Sequence, residues 1–211
     1  MTSTMDPARI GDAEPGGVKL LIDTLAAIER PAVIEVGTLR SDPTFPTHHT
    51  AWAPHGTWTR VDREMGTDVD VVDDAHTLAN FRVVTGRPFG GAVVNDAPDA
   101  RFDAYVSCSV FEHLERPWLA MQAAAGVVRP GGLVYVQTHQ TFPIHGYPSD
   151  FFRFSDNALR VLMDDAGLDV LHAGYTYRCQ IIPPPEITRW NTAPDVESWL
   201  NVEALGRKRG G

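Results

Sequence analysis

The sequence predicts an α/β fold: a mostly parallel sheet with helices on both faces and an antiparallel hairpin at one edge. Three observations carry this. Short apolar runs rich in β-branched residues alternate with segments whose apolar residues recur at helical spacing. The last two strand-like runs follow each other with no helix between them. The length of 211 residues, with 43% hydrophobic and 21% charged content, suits one domain with a full core rather than a disordered chain.

Residues 1–16 are polar, carry Pro7 and Pro15, and read as an N-terminal arm or lid; a single domain is expected over 17–211. Val18, Leu21, Ile22, Leu25 and Ile28 mark a helix that Pro31 ends. Ala32–Val36 reads as a buried strand bounded by Pro31 and Gly37. The stretch from Thr38 to Gly56 has three prolines, three histidines and no period. Thr57–Asp62 is a second strand ending on an acid, Val69–Val72 a third, and a weak helix is expected after His76. Residues 85–101 read as a surface excursion rich in glycine and proline. Phe102–Ser107 is a fourth strand. Arg116–Val128 is a helix with Pro117 in its first turn, stopped by Arg129-Pro130-Gly131-Gly132. Leu133–Thr138 is a fifth strand. Ser155 caps a helix carrying Leu159, Leu162, Met163 and Ala166, which Gly167 ends. Leu168–Arg178, a loop at Pro183–Pro185, and Trp199–Leu205 complete the chain as two strands and their connection. Alternating strands and helices give parallel order with right-handed crossovers. In such sheets ligands sit beyond the carboxyl ends of the strands, where the strand order reverses.

A formal net charge of -9 argues against the phosphate backbone of nucleic acid as a partner. The only dense basic run, Arg207-Lys208-Arg209, reads as a frayed tail. Two distant cysteines, Cys108 and Cys179, imply no disulfide framework, and the cytoplasm is the expected compartment. No targeting segment is read at the N-terminus, and no apolar run approaches the roughly 20 residues of a membrane span. The assembly is left open between a monomer and a homodimer.

The strand ends hold the candidate residues. Gly37 lets a ligand approach the backbone, and Glu35 orients that loop or meets a cationic group; a glycine that simply turns the chain is the alternative. The full G-x-G-x-x-G spacing wanted for a dinucleotide is absent, with Thr38-Leu39-Arg40 in its place. Asp62 can accept both hydroxyls of a ribose, or stand solvated at a strand end. In Asp73-Asp74-Ala75-His76, Asp74 can accept an adenine amino group while the Ala75 amide meets a ring nitrogen. Asp74 can equally cap a helix, and both can hold.

These features come in a particular order. With Phe102-Asp103-Ala104-Tyr105-Val106-Ser107, Phe111-Glu112-His113-Leu114 and Arg129-Pro130-Gly131-Gly132-Leu133, the chain resembles the Rossmann-like class I SAM-dependent methyltransferases, in their methyltransferase type 11-like branch. The resemblance covers roughly residues 17–178. It implies S-adenosyl-L-methionine as cofactor, with Gly37 and Thr38 at its methionine part, Asp62 on the ribose, Asp74 and Ala75 framing the adenine, and Ser107 beside the methionine end. Acids at Glu35, Asp62 and Asp74 suit a sulfonium and not a pyrophosphate.

After the fifth strand, residues 139–154 join His139, His145, Asp150 and Arg153 with five aromatic rings. So ring-rich a loop reads as a pocket lining, or as an apolar plug against the sheet. Methyl transfer from a sulfonium mainly needs donor and acceptor aligned, and a hydroxyl acceptor must also lose its proton. His145 is the candidate base with Asp150 as its orienting partner or a second base; His139 and His113 compete for the role, and Glu112 and His113 are otherwise structural. His139, His145 and Asp150 are also a candidate divalent-ion set, Mg2+ by analogy with other methyltransferases. The H-x-x-x-x-D-F-F-R-F loop resembles bacterial methyltransferases that tailor polysaccharides and glycosides, which implies a small-molecule acceptor such as an oligosaccharide or glycoside. Other small acceptors such as a phenol or lipid, an NAD-binding oxidoreductase, and a non-catalytic cofactor-binding protein are the alternatives.

Overall fold

The computed structural model describes residues 16–39, 49–81, 84–85, 93–94, 102–146, 148–182, 186 and 197–210. The expected arm or lid, most of the excursion over 85–101 and the Pro183–Pro185 loop lie outside the described residues.

In chain order the elements are α1 (Gly16–Ala26), β1 (Ala32–Val36), β2 (Thr57–Asp62), β3 (Val71–Val72), β4 (Val84–Thr85), β5 (Val93–Val94), β6 (Phe102–Cys108), α2 (Pro117–Val127), β7 (Val128–His139), α3 (Asp156–Asp165), β8 (Leu168–Gln180) and β9 (Glu197–Lys208). Seven strands form one sheet in the order β3-β2-β1-β6-β7-β9-β8, and β4 and β5 pair separately as a short antiparallel ladder. The β3, β2, β1, β6 and β7 pairings are parallel, and β9 runs antiparallel between β7 and β8. This is a Rossmann-like methyltransferase fold, with the expected antiparallel strands at one edge.

Alternation along the strands sorts the core into two layers. Val33, Ala104, Val106, Leu133, Tyr135 and Leu205 meet Val18, Leu21 and Leu25 of α1 on one face. Ile34, Val36, Tyr105, Val134, Val136, Val202 and Ala204 meet α2 and α3 on the other. Leu21 and Leu25 are fully buried, each contributing roughly 1.5–3 kcal/mol. Among the described residues, the start of α1 is met from across the sheet. Glu203, from the centre of β9, accepts the Gly17 amide at 2.9 Å and the Tyr135 hydroxyl at 2.7 Å, with His172 Nε2 at 3.0 Å. A carboxylate at a helix N-terminus also meets the positive end of its dipole. Ser155 caps α3 as expected, its side chain accepting from the Ala158 amide at 3.2 Å.

Some boundaries differ from the sequence reading. The helix expected after His76 is a single 3-10 turn, Ala79–Phe81, because Asp73 takes the Ala79 and Asn80 amides and fixes a tight loop. Arg129 to Gly132 ends α2 yet runs on as the start of β7, with a register shift opposite Phe102 and Ala104. Gly132 lies so close to the Asp103 and Arg129 carbonyls that a Cβ would sit 3.2 and 2.8 Å from them. The basic run is no frayed tail. Arg207 and Lys208 belong to β9, Lys208 donates to the Val128 carbonyl at 3.1 Å, and Arg209 pairs with Asp164 at 2.5 Å and Asp169 at 2.8 Å. Its cation offsets the acids at the C-terminus of α3, where the helix dipole disfavours them. Among the described residues, no helix is long and apolar enough to cross a membrane.

Candidate functional site

The strand order reverses between β1 and β6, the switch point beyond whose carboxyl ends open α/β sheets form their ligand crevice. Gly37 turns the chain there at φ +89, donating to the Val61 carbonyl at 2.9 Å. A Cβ on Gly37 would fall 2.1 Å from Val110 Cγ2, so the β1 and β6 loops are packed to backbone distance. Thr38 is buried behind it. Asp62, at the tip of β2, accepts the Leu39 amide at 2.9 Å on one oxygen and the Arg63 amide at 2.7 Å on the other. The Glu64 amide also reaches Oδ1, at 3.4 Å, so the acceptor site left on Asp62 is chiefly on Oδ2. Asp74 accepts the His76 amide at 2.9 Å and the His76 ring at 2.7 Å, a bond that lowers its pKa against the effect of burial. It is therefore a turn-forming acid as well as a strand-tip one. Ala75, beside it, packs on the α2-side core.

Ser107 is wholly buried, and among the described residues its hydroxyl has no hydrogen-bond partner. Two residues on, Ser109 holds φ +54, a left-handed conformation costly for a residue with a side chain, at the mouth of the crevice. No sequence signal marks Ser109. Glu35 is buried, and its cationic partner comes from the chain itself: His49, on the 3-10 turn His49–Trp52, donates to it. Trp52 then packs edge-on against Tyr135, ring centroids 5.6 Å apart.

Burial works to lower the His49 pKa, but its bonds to Cys108 and Glu35 raise it to about 10. The Cys108 thiol is itself pushed up by burial. The folded-state pKa lies above the unfolded value near 6.5, so the pair's contribution is full below about pH 6.5 and is lost as pH rises toward 10. The unfolding free energy is expected to fall across that window by at most about 1.4 kcal/mol per pH unit, which melting temperatures measured over the same pH range read out. His49→Gln flattens that part of the profile; an unchanged slope would contradict the pairing.

Beyond β6 and β7 the ring-rich loop folds back on the Phe111–His113 turn. The Phe151 amide donates to the Glu112 carbonyl at 2.7 Å, His113 Nδ1 donates to the Ser149 carbonyl at 2.7 Å, and the Phe154 amide donates to the His139 carbonyl at 3.0 Å. Arg153 clasps the loop from within, bonding both Asp150 oxygens at 2.5 and 2.6 Å and the Pro143 carbonyl at 2.9 Å. The rings divide between the core and the surface. Phe152 and Phe154 plug the core, while Phe142 and Phe151 are exposed and Ile144 is 94% exposed. Tyr147 lies outside the described residues.

This fold brings His113, His139 and His145 around one buried carboxylate. Glu112 is fully buried. Its Oε2 accepts the Thr138 hydroxyl at 2.6 Å, and its Oε1 lies 3.1 Å from His139 Nε2, 3.7 Å from His113 Nε2 and 4.0 Å from His145 Nε2. Phe142 stacks on His139 at 4.1 Å. Asp150 does not complete this cluster as expected. Its bonds to Arg153 hold its carboxyl well below the usual carboxylate range, despite burial, so it is a poor second base. It orients His145 through the backbone, accepting that amide at 2.9 Å, with the ring Nδ1 3.4 Å away. The ion set of His139, His145 and Asp150 is likewise corrected, since Arg153 already occupies Asp150 and the converging acid is Glu112. Three imidazoles around one carboxylate do not fit Mg2+, which takes oxygen ligands.

A family model described as a methyltransferase domain matches residues 58–136, from β2 into β7. The match takes in Asp62, Asp74, Ala75, Glu112 and His113, and stops short of Gly37 and the ring-rich loop. Comparison with the curated proteins gives no match. Among solved structures the chain is similar to a SAM-dependent methyltransferase of Archaeoglobus fulgidus, at 14% identity and TM-score 0.56, over 92% of this chain and 95% of that one. It is similar to an S-adenosylmethionine-dependent methyltransferase of Mesorhizobium loti, at 13% identity and TM-score 0.51, over 92% and 99%. The 1,6-didemethyltoxoflavin-N1-methyltransferase of Burkholderia thailandensis, solved with its substrate and S-adenosylhomocysteine, aligns at 14% identity and TM-score 0.55 over 92% and 79%. At these identities the likeness is one of fold, and that fold is the Rossmann-like methyltransferase class.

Proposed function

We propose that this protein binds S-adenosyl-L-methionine across the tips of β1, β2 and β6 and transfers its methyl group to a hydroxyl of a small acceptor. The observation that supports this is the placement, at the strand tips of a methyltransferase fold, of a left-handed Gly37, a strand-tip Asp62 and a histidine cluster built from the Phe111–His113 turn, the end of β7 and the loop after it. Gly37 and Thr38 face the methionine part, Asp62 holds the ribose diol, Asp74 and Ala75 frame the adenine, and the backbone at Ser107 to Ser109 borders the methionine end. The cofactor is already activated, so the protein's task is to align the acceptor oxygen with the methyl group and to remove its proton. His145 is the first candidate base: its Nδ1 donates to the Pro143 carbonyl at 3.1 Å, which leaves a lone pair on Nε2. The buried Glu112 stabilises the imidazolium formed. His139 is the second candidate.

The acceptor we favour is a sugar hydroxyl. Exposed Phe142 and Phe151 offer flat faces for the C–H side of a pyranose, beside polar groups for its hydroxyls. The loop's likeness to methyltransferases of polysaccharide synthesis, including the 1-O-methylation of 3-O-methylated mannosides, supports the same choice. A screen with methyl-labelled cofactor tests this: short mannosides labelled ahead of phenols and lipids support it, and label on phenols alone removes the sugar.

A further inference from the structure

The histidine cluster has a property that the methyl-transfer reading does not use. His113 Nδ1 bonds the Ser149 carbonyl at 2.7 Å and His145 Nδ1 bonds the Pro143 carbonyl at 3.1 Å. A carbonyl only accepts, so both rings carry a proton on Nδ1 and, when neutral, present a lone pair on Nε2. Both Nε2 atoms face Glu112 Oε1, at 3.7 and 4.0 Å, with the two rings edge-to-face at 4.8 Å. That oxygen is buried and, among the described residues, accepts no hydrogen bond: His139 Nε2 lies 3.1 Å from it, but the His139 Nδ1 donates to Asn201 Oδ1, so this ring too, when neutral, offers it only a lone pair. A buried carboxylate oxygen without a donor is costly, and neutral imidazole lone pairs aimed at it do not relieve the cost. A cation between them does. The three donor atoms lie within 4.8 Å of one another. Bonds of about 2.0–2.1 Å in tetrahedral geometry set donors roughly 3.3 Å apart, a distance that small side-chain rotations reach from here. The carbonyls behind His113 and His145 fix tautomer and ring direction, as outer partners do for metal-bound histidines.

We propose that Glu112, His113 and His145 bind one first-row divalent transition ion of the Zn2+ class, open to ligand on the side where His145 reaches solvent. Its nitrogen-rich donors separate it from a magnesium site. Ion binding stands by itself; only its use in catalysis rests on the methyl-transfer reading. With the ion bound, His145 acts as a ligand, and His139, whose Nδ1 faces Asn201 Oδ1 at 2.9 Å, is the imidazole left to take the acceptor's proton.

Titrating the full chain, stripped with chelator, with Co2+ while reading visible absorption tests the site. The expected result is one Co2+ per chain with d–d bands, displaced by Zn2+ and unaffected by excess Mg2+. His113→Ala and, separately, His145→Ala on the loop should each weaken Co2+ binding by at least about tenfold. Unchanged melting and S-adenosylhomocysteine binding in either variant show that it is folded. Absent d–d bands, or Co2+ affinity equal to wild type in a folded variant, would overturn the site. Co2+ binding without any binding of S-adenosylhomocysteine would instead sink the methyl-transfer reading and leave the metal site standing.

Discussion

His145→Ala is expected to cut turnover by roughly a hundredfold or more while leaving affinity for S-adenosylhomocysteine nearly unchanged. The loop keeps its shape in this variant, because Arg153 still holds both Asp150 oxygens and the residue 145 amide still bonds Asp150. The alanine removes a single lone pair beside Glu112, whether that lone pair takes the proton or holds an ion. The cofactor contacts we propose lie on other tips, at Gly37, Asp62 and Asp74. The loss should therefore fall on kcat and not on cofactor affinity, a split that steady-state kinetics and calorimetry on one preparation resolve. Unchanged turnover would take His145 out of the chemistry.

Asp62→Ala is expected to weaken cofactor binding by roughly 10- to 100-fold. Hydrogen bonds to a charged group are worth about 1.5–3 kcal/mol, and a ribose diol makes two of them with one carboxylate. The substitution also frees the Leu39 and Arg63 amides, so the β1 loop loosens in the same variant. Asp62→Asn separates the two effects, since it retains an acceptor oxygen for the loop. Wild-type affinity in Asp62→Ala, measured by calorimetry, would contradict the ribose assignment.

Much of the scaffold was legible because its signals are local. Ala32–Val36 and Thr57–Asp62 are bounded by proline, glycine and acid, and the structure gives these same limits. The Ser155 cap and the Gly167 stop likewise bracket α3. What escaped depends on tertiary partners. Arg207 to Arg209 reads as a tail until α3 supplies Asp164 and β8 supplies Asp169. Glu35 seeks a cation, but nothing in the sequence says that His49 folds over to provide one. The candidate site splits the same way. His139, His145 and Asp150 drew notice by their density in one loop. The assignment of Asp150 over Glu112 followed sequence proximity, whereas Arg153, three residues away, neutralises Asp150, and the Phe111–His113 turn carries Glu112 under the loop from 27 residues upstream of His139. Ser109's left-handed backbone leaves no trace in residue type.

Titrating the purified protein with S-adenosylmethionine and S-adenosylhomocysteine at two temperatures asks most directly whether a nucleoside sulfonium occupies the crevice beyond β1 and β6. Saturable heat for one site per chain, lost or sharply weakened in Asp62→Ala, is the predicted result. No binding heat from either compound at either temperature would contradict the reading of this crevice as a methyl-donor site.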